Sequence, residues 1–439
     1  MADADDAFEV ARLHFLDGLA ALEADRLSEA EAQFTASLAL LPGRVSTLIN
    51  LAAVHMKLGQ PAEAWVAAGQ VLAIEPRNIE ALFHQGTALA ELGRHDEALV
   101  ALTHLIAIDA SRAEPWMHHG FALHTLGRPH DALASYDRAL AIDPSLAQAW
   151  SHRGGILREA MRLEEAAEAF EQAIARGADA ELYGYYLASV RANAATDRSA
   201  TSAAGTGAPR GDAATASADT AAIPTIAPAH YVQSLFDDYA AEFDHHLIDL
   251  LHYRAHIVLT QPLAALAADP ASHRTSARFA SALDLGCGTG LCAPLVRPLA
   301  DRLTGIDLSA GMLDQAHALD LYDELTQADA AAYLQATDER FDLILAADVF
   351  IYIGDLAPLF ASARRVMPPG GVFCFSAEQA SRESLDFELL PSLRYAHAER
   401  YLRELAAVHG FEVTALTRQP IREDQREAIA GLFVYLRRH

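Results

Sequence analysis

One spacing constrains this chain more than any other: residues 11–180 repeat with a period of 34. Gly18, Gly86, Gly120 and Gly154 fall in step, with Ala52 in the remaining slot. A second column holds Ala30, Ala64, Ala98, Ala132 and Ala166, and a third Phe34, Ala68, Leu102, Tyr136 and Phe170. Pro42, Pro76 and Pro144 make a fourth, with Ala110 between them, and Trp116 and Trp150 stand one period apart. Small residues let two helices approach closely, large ones fill the space between them, and a proline ends each pair because it cannot continue a helix. A stack of such units buries one continuous core.

The period and its small, aromatic and proline columns resemble the tetratricopeptide repeat. Five units follow, 11–44, 45–78, 79–112, 113–146 and 147–180, and residues 181–194 read as a helix closing the last open face. The resemblance implies a concave surface that holds a protein or peptide partner. Its groove positions carry Phe15, Ile49, Phe83 and Met117, then Leu19, Ala53, Thr87 and Phe121. The Lys and Asn clamp that some members use on acidic peptides is absent there, so a more apolar ligand is expected. His84, His118 and His152 form a further column. It reads as a solvent-facing ladder carried along by duplication, with a pH-dependent groove as the sharper alternative.

The solenoid is expected to occupy 1–195. Residues 196–223 are small, polar and aperiodic and read as a flexible linker. From 224 to 439 the pattern changes to apolar strands alternating with helical stretches: Ala282–Leu285, Leu303–Asp307, Phe341–Ala346, Val372–Ser376, Phe411–Thr417 and Gly431–Leu436. That alternation predicts an α/β, Rossmann-like sheet whose ligands bind beyond the carboxyl ends of the strands.

The loop after the first of these strands reads Asp284-Leu-Gly286-Cys-Gly288-Thr-Gly290. Glycines allow a tight turn and close approach of backbone to ligand, and the N–H groups of a following helix point at it. Leu291 stands where a G-x-G-x-x-G dinucleotide fingerprint needs its last glycine. Asp307 ends the next strand, 21 residues after Gly286, where a carboxylate accepts both hydroxyls of a ribose. Ala328 and Asp329 precede a helix, and Asp348 follows the strand ending at Ala346.

With these residues, Ser281–Ser376 resemble a class I S-adenosylmethionine-dependent methyltransferase. Tyr231–His439 resemble the predicted methyltransferases that often follow tetratricopeptide repeats, through YVQSLFDDYAAEFDHHL, AADVFIYIGDL and GLFVYL. The resemblance implies a seven-stranded sheet with the last strand antiparallel, and a further strand at Glu324–Gln327. It implies that Gly286, Gly288 and Gly290 meet the methionine part of S-adenosylmethionine and that Asp284 belongs to the cofactor-binding set. Asp307 would bind its ribose, Leu308 and Met312 would flank the adenine, Ala328 and Asp329 would touch the adenine edge, and Asp348 would lie near the sulfonium. Tyr239 would cover the cofactor and Arg254 would meet its carboxylate. Met312 as ordinary core and Asp348 as a helix cap stay open as alternatives.

Methyl transfer from a sulfonium needs alignment and exclusion of water more than acid–base work. Tyr239, Phe243, Tyr352 and Tyr395 are candidate walls. The segment Ser381–Arg400 is a candidate substrate-shaping insertion, with Tyr352, Arg394 and Tyr395 as substrate contacts. His397, Tyr395 and Asp348 are the candidate catalytic side chains, His397 as general base. Ala347-Asp348-Val349-Phe350 lacks the tetrad typical of amino-group methylases.

The net charge of −26 disfavours nucleic acid and anionic membranes as partners. Cys287, Cys292 and Cys374 are too few for a disulfide framework and lack the pairing of a zinc site, so no metal is expected and a cytoplasmic setting is. Function is therefore expected to be S-adenosylmethionine-dependent methyl transfer, with the repeats recruiting a protein partner or substrate. Two other readings remain: a small-molecule methyltransferase whose repeats only assemble it, and a non-catalytic adaptor that binds the nucleoside.

Overall fold

The computed structural model describes residues 2–204, 223–237, 240, 243–269, 276–424 and 427–439. The chain divides into two units, Met1–Tyr183 and Gly184–His439. The first is the repeat stack expected from the sequence. Its helices pair as α1 (Ala2–Glu23) with α2 (Leu27–Leu40), α3 (Val45–Lys57) with α4 (Pro61–Ile74), and α5 (Ile79–Glu91) with α6 (His95–Ile108). Then come α7 (Ala113–Thr125) with α8 (Pro129–Ile142), and α9 (Ala147–Glu159) with α10 (Leu163–Ala175).

The glycine column packs against the aromatic column one helix later. A Cβ on Gly18 would stand 2.6 Å from Phe34, on Gly154 2.6 Å from Phe170, and on Gly120 3.0 Å from Tyr136. The second repeat of the stack obeys the same rule in reverse. Where alanine replaces the glycine, at Ala52, its partner has shrunk to Ala68, and the two share a small cluster with Ala67. Volume is conserved across the pair, as close packing requires.

The histidine column is not solvent-facing. His118 meets Phe83 edge-on at 5.6 Å, and His152 stacks on Tyr136 and tilts against Phe121, each also at 5.6 Å. Burial pushes all three histidines below the usual imidazole range, His152 to about 4. A neutral His152 is packing material across pH 5.5–8, so the expected switch loses that member for want of a charge change.

Helix α11 (Ala180–Ala204) begins where a closing helix was expected, and Tyr183 stacks on Phe170. It runs on to Ala204, so residues 196–204 extend a helix instead of starting a tether. The rest of the expected linker, 205–222, lies outside the described residues.

In the second unit, β1 (Phe279–Leu285), β2 (Ala300–Asp307), β3 (Glu324–Gln327), β4 (Leu343–Ala346) and β5 (Val372–Gln379) lie parallel in the order β3-β2-β1-β4-β5. The apolar runs of β1, β2, β4 and β5 are near-continuous because both faces are covered, whereas the edge strand β3 carries none. Leu283, Ile306, Ile344 and Phe373 pack on one side, and Ala282, Leu303, Leu343 and Val372 on the other.

The sheet has nine strands among the described residues, two more than expected. The additions are β6 (Phe387–Leu389) and β7 (Tyr395–His397), an antiparallel pair within the anticipated insertion. Strands β8 (Phe411–Asp424) and β9 (Glu427–Arg438) complete it, with β9 antiparallel to β5. Because β9 occupies one edge of β5 over Val372–Glu378, β7 joins at Glu378 and Gln379 on the other edge, just past the end of β4. That register puts the inserted pair at the carboxyl end of the parallel strands.

Candidate functional site

A cleft opens at that end, lined by the loops after β1, β2, β3 and β4. Gly286, Gly288 and Gly290 all have positive φ, at 70°, 55° and 92°. They differ in what they face. A Cβ on Gly286 would lie 2.6 Å from Val349, and one on Gly290 would lie 2.7 Å from Leu319. One on Gly288 would meet nothing within 4 Å. Gly286 and Gly288 line the cleft; Gly290, expected there too, instead lets the loop pack on Leu319 and Tyr322.

Asp307 fixes the loop from β2. Its Oδ2 accepts the Gly288 N–H at 2.8 Å and its Oδ1 accepts the Ser309 N–H at 2.9 Å. A carboxylate has about four acceptor positions, so each oxygen keeps room for one more donor from the cleft. Burial raises this carboxyl above the usual range, and the two N–H groups oppose that.

Asp284 is 1% exposed at the cleft floor and accepts the Tyr322 hydroxyl at 2.7 Å. Burial pushes its carboxyl up to about 7. Tyr322 was not foreseen, because nothing in its local pattern points back to the glycine loop 38 residues away.

Leu308, Met312, Ala328, Asp329, Asp348, Tyr352 and Arg394 line the cleft. Met312 is 1% exposed. Asp329 also caps a helix, accepting the Ala332 N–H at 2.8 Å.

The near wall comes from the segment before the sheet. Ile226 bridges to Ile353, and the Ala227 N–H donates to the Tyr352 carbonyl at 2.9 Å. Helix α12 (Ala229–Asp237) follows. Phe236 meets Phe243 at 5.8 Å and Tyr352 at 5.7 Å, building an aromatic wall. Two carboxylates fasten this wall: Asp237 accepts the Ser309 hydroxyl at 2.5 Å, and Asp244 accepts the Thr289 hydroxyl at 2.6 Å. Tyr239 lies outside the described residues.

Four expectations are corrected. His397 is fully buried, with Nε2 at 2.9 Å from the Ile353 carbonyl and 3.1 Å from that of Gly354. Burial pushes it down to about 4, so it ties β7 to the loop after β4 and cannot act as a base from the cleft. Tyr395 is equally buried; its hydroxyl donates to the Pro224 carbonyl, away from the cleft. Arg254 is exposed on a different surface depression, beside His252 and Glu423. Asp348 does line the cleft, but Arg422 grips both its oxygens, at 3.1 and 2.9 Å. Its backbone is left-handed, with φ of 61°, a conformation that costs a non-glycine residue of order 1–3 kcal/mol. A carboxylate so held orients neighbours; it is not free to move protons.

Arg422 itself is the largest omission. It is 2% exposed and also pairs with buried Glu378. It sits on β8, beyond Thr417 where that strand was expected to end, in the run IREDQRE.

Family comparison agrees with this geometry. Residues 283–375 match the model for a methyltransferase domain, 122–181 that for a tetratricopeptide repeat, and 6–147 that for a bacterial transcriptional activator domain. The malonyl-[acyl-carrier protein] O-methyltransferase of Enterobacter lignolyticus is 32% identical over 160 residues, 34% of this chain and 59% of that protein. The trans-aconitate 2-methyltransferase of Paracidovorax citrulli is 33% identical over 127 residues, 28% of this chain and 44% of that one. The chain thus spans about half the length of the curated relatives it matches. A thermophilic tetratricopeptide-repeat protein of Thermus thermophilus is similar at 21% identity and a TM-score of 0.33, over 38% of this chain and 91% of that one. No described helix is long and apolar enough to cross a membrane. The chain joins a tetratricopeptide-repeat region to a methyltransferase domain of the class I fold.

Proposed function

We propose that this protein methylates a carboxylate oxygen using S-adenosylmethionine, on an acceptor brought by a protein partner of the repeats. The observation that carries the reading is Arg394: it lines the cleft, and no carboxylate among the described residues forms an ion pair with it. Its charge is nonetheless felt there, pulling the Tyr352 phenol and the Glu378 carboxyl down against the larger effect of burial. A guanidinium at a cleft mouth suits bidentate recognition of a carboxylate. Two of the relatives carry names that fit, a malonyl-[acyl-carrier protein] O-methyltransferase and a trans-aconitate 2-methyltransferase.

Gly286 and Gly288 would admit the methionine part of the cofactor, Asp307 its ribose, and Ala328 and Asp329 the adenine edge. When bound, S-adenosylmethionine supplies a methyl group on a positively charged sulfur; the acceptor oxygen takes the methyl as the carbon–sulfur bond breaks, and a neutral thioether leaves. Phe236, Phe243 and Tyr352 keep water from the reacting atoms, which strengthens the attraction between a carboxylate and a sulfonium. A carboxylate arrives deprotonated, so the chain needs no base. That accords with the core position of His397.

Full-length protein, labelled S-adenosylmethionine and a malonyl-loaded carrier protein should give a methyl ester, released as labelled methanol by alkali. Malonyl-pantetheine should be a substrate with a KM at least tenfold higher. Alkali-stable label would refute carboxylate methylation, and equal KM values would refute recruitment by the repeats.

The cleft floor adds a pH signature. A cation near Asp284 favours its ionised form, so binding releases a proton below about pH 7. Affinity for S-adenosylmethionine should climb as pH rises from about 6 to 7, approaching tenfold per unit, and level off above. The product S-adenosylhomocysteine keeps the ammonium of the methionine part and should show a similar slope. Titration calorimetry in two buffers of different ionisation enthalpy reads the proton, and Asp284→Asn should flatten the profile. A flat wild-type profile would contradict the placement.

A further inference from the structure

Helix α11 carries a stripe that neither the repeats nor the cofactor site uses. Tyr185, Ser189 and Asn193 stand four residues apart, on one face of the helix. All three donate to backbone carbonyls at the tip of the β6–β7 pair. The Tyr185 hydroxyl reaches the Leu393 carbonyl at 2.7 Å, the Ser189 hydroxyl that of Leu390 at 2.7 Å, and the Asn193 amide that of Leu389 at 2.9 Å. These contacts are dry at the centre, since Tyr185 is 1% and Ser189 0% exposed. The Tyr185 ring packs on Tyr395 and Tyr231, each at 6.1 Å.

The tip they hold is under constraint. Leu393 is left-handed, with φ of 63°, and the Leu390 N–H donates to the Arg394 carbonyl at 2.8 Å. On its other side β7 is tied by β5 and by His397. Arg394 therefore emerges from a turn gripped from both sides. A lone three-residue pair at a sheet edge is weak by itself, so the helix supplies what the strands cannot.

We propose that Tyr185, Ser189 and Asn193 are positioning residues that set Arg394 for the acceptor carboxylate, which makes residues 184–194 part of the catalytic apparatus. The inference rests on the reading of Arg394 given above. A functional boundary at 195 or 224, which composition suggests, would sever this support.

The test uses the full chain carrying Ser189→Ala with Asn193→Ala. The KM for malonyl-pantetheine should rise about tenfold, while kcat and the calorimetric Kd for S-adenosylmethionine stay within twofold. In an Arg394→Ala background the same pair should change KM no further, because the positioned group is gone. Ser189→Thr, which keeps the hydroxyl, should retain most of the wild-type KM. Amide hydrogen exchange should quicken across 387–397 and not across 279–307. A loss of cofactor affinity equal to the loss in KM, or faster exchange throughout 184–439, would mean a merely structural helix and overturn the proposal. If the wild-type protein does not methylate malonyl-pantetheine, the carboxylate reading fails by itself. The exchange pattern then still decides whether α11 holds the turn: unchanged exchange at 387–397 overturns it.

Discussion

Asp307→Ala should weaken S-adenosylmethionine binding by about two to four orders of magnitude, since each hydrogen bond to a charged acceptor contributes roughly 1.5–3 kcal/mol and two ribose hydroxyls are at stake. The geometry makes the residue hard to replace. Its two oxygens already accept the Gly288 and Ser309 N–H groups, so one side chain both shapes the glycine loop and presents its remaining acceptor positions to the ligand. Alanine removes both functions and leaves two amides without their partner. Asp307→Asn separates them: it keeps one carbonyl oxygen, but its NH2 must face a backbone donor, so a loss of about ten- to a hundredfold is expected. Calorimetry with S-adenosylmethionine and S-adenosylhomocysteine should show equal losses, because both carry the same ribose. Unchanged affinity would remove Asp307 from the sugar. A much smaller loss for the thioether would recast it as a counter-charge to the sulfonium.

What could be read from the sequence follows from where the determining contacts lie along the chain. The repeats were legible because each unit's rule, small against large sixteen residues on, recurs within one period; even the exception at Ala52 and Ala68 keeps it. Four of the five parallel strands were legible because burial on both faces writes continuous apolar runs; β3, an ELTQ edge strand, was placed only by the family resemblance. The cleft loops were legible because each directly follows such a strand. Contacts between distant segments left no periodic trace. Tyr322 reaches Asp284 across 38 residues, and Asp237 reaches Ser309 across 72. The inserted strands of three residues each are too short to show alternation.

The misplaced residues fail for a related reason. Tyr395 and His397 looked polar and available in YAHAE, yet both are fully buried, the Tyr395 hydroxyl turned to the Pro224 carbonyl and the His397 Nε2 to those of Ile353 and Gly354. Arg394, just before them in the same reading, does line the cleft because it precedes β7 at the turn. One insertion thus supplies a recognition group and two structural ones, and only the strand register tells them apart.

Arg422→Ala should destabilise the second unit by about 3–5 kcal/mol, the usual result of removing one partner from a buried ionic group. The guanidinium is 2% exposed and lies between Asp348 and Glu378, the latter 4% exposed. Without it Glu378 keeps a buried carboxylate and only the weaker pull of Arg394. Burial already raises the Glu378 carboxyl against the pull of Arg422, so in the variant it should be raised further. A carboxyl raised in the folded state contributes stability below its unfolded pKa, about 4.3, that is lost as pH climbs through the folded value. Arg422→Ala should accordingly be more damaging at pH 8 than at pH 5. Replacing both partners, Arg422→Met with Glu378→Leu, should recover most of the loss because no buried charge remains. Asp348 would still lack its clamp, so cofactor affinity need not return with stability. The three tryptophans, Trp65, Trp116 and Trp150, all lie in the repeat unit. Tryptophan fluorescence therefore follows that unit alone, and its unfolding midpoint should not move in these variants. A cofactor-dependent transition, followed by calorimetry, should drop by roughly 10 °C for Arg422→Ala. If that transition holds within about 2 °C, or the tryptophan midpoint falls with it, the buried cation is not what braces the acceptor side of the cleft.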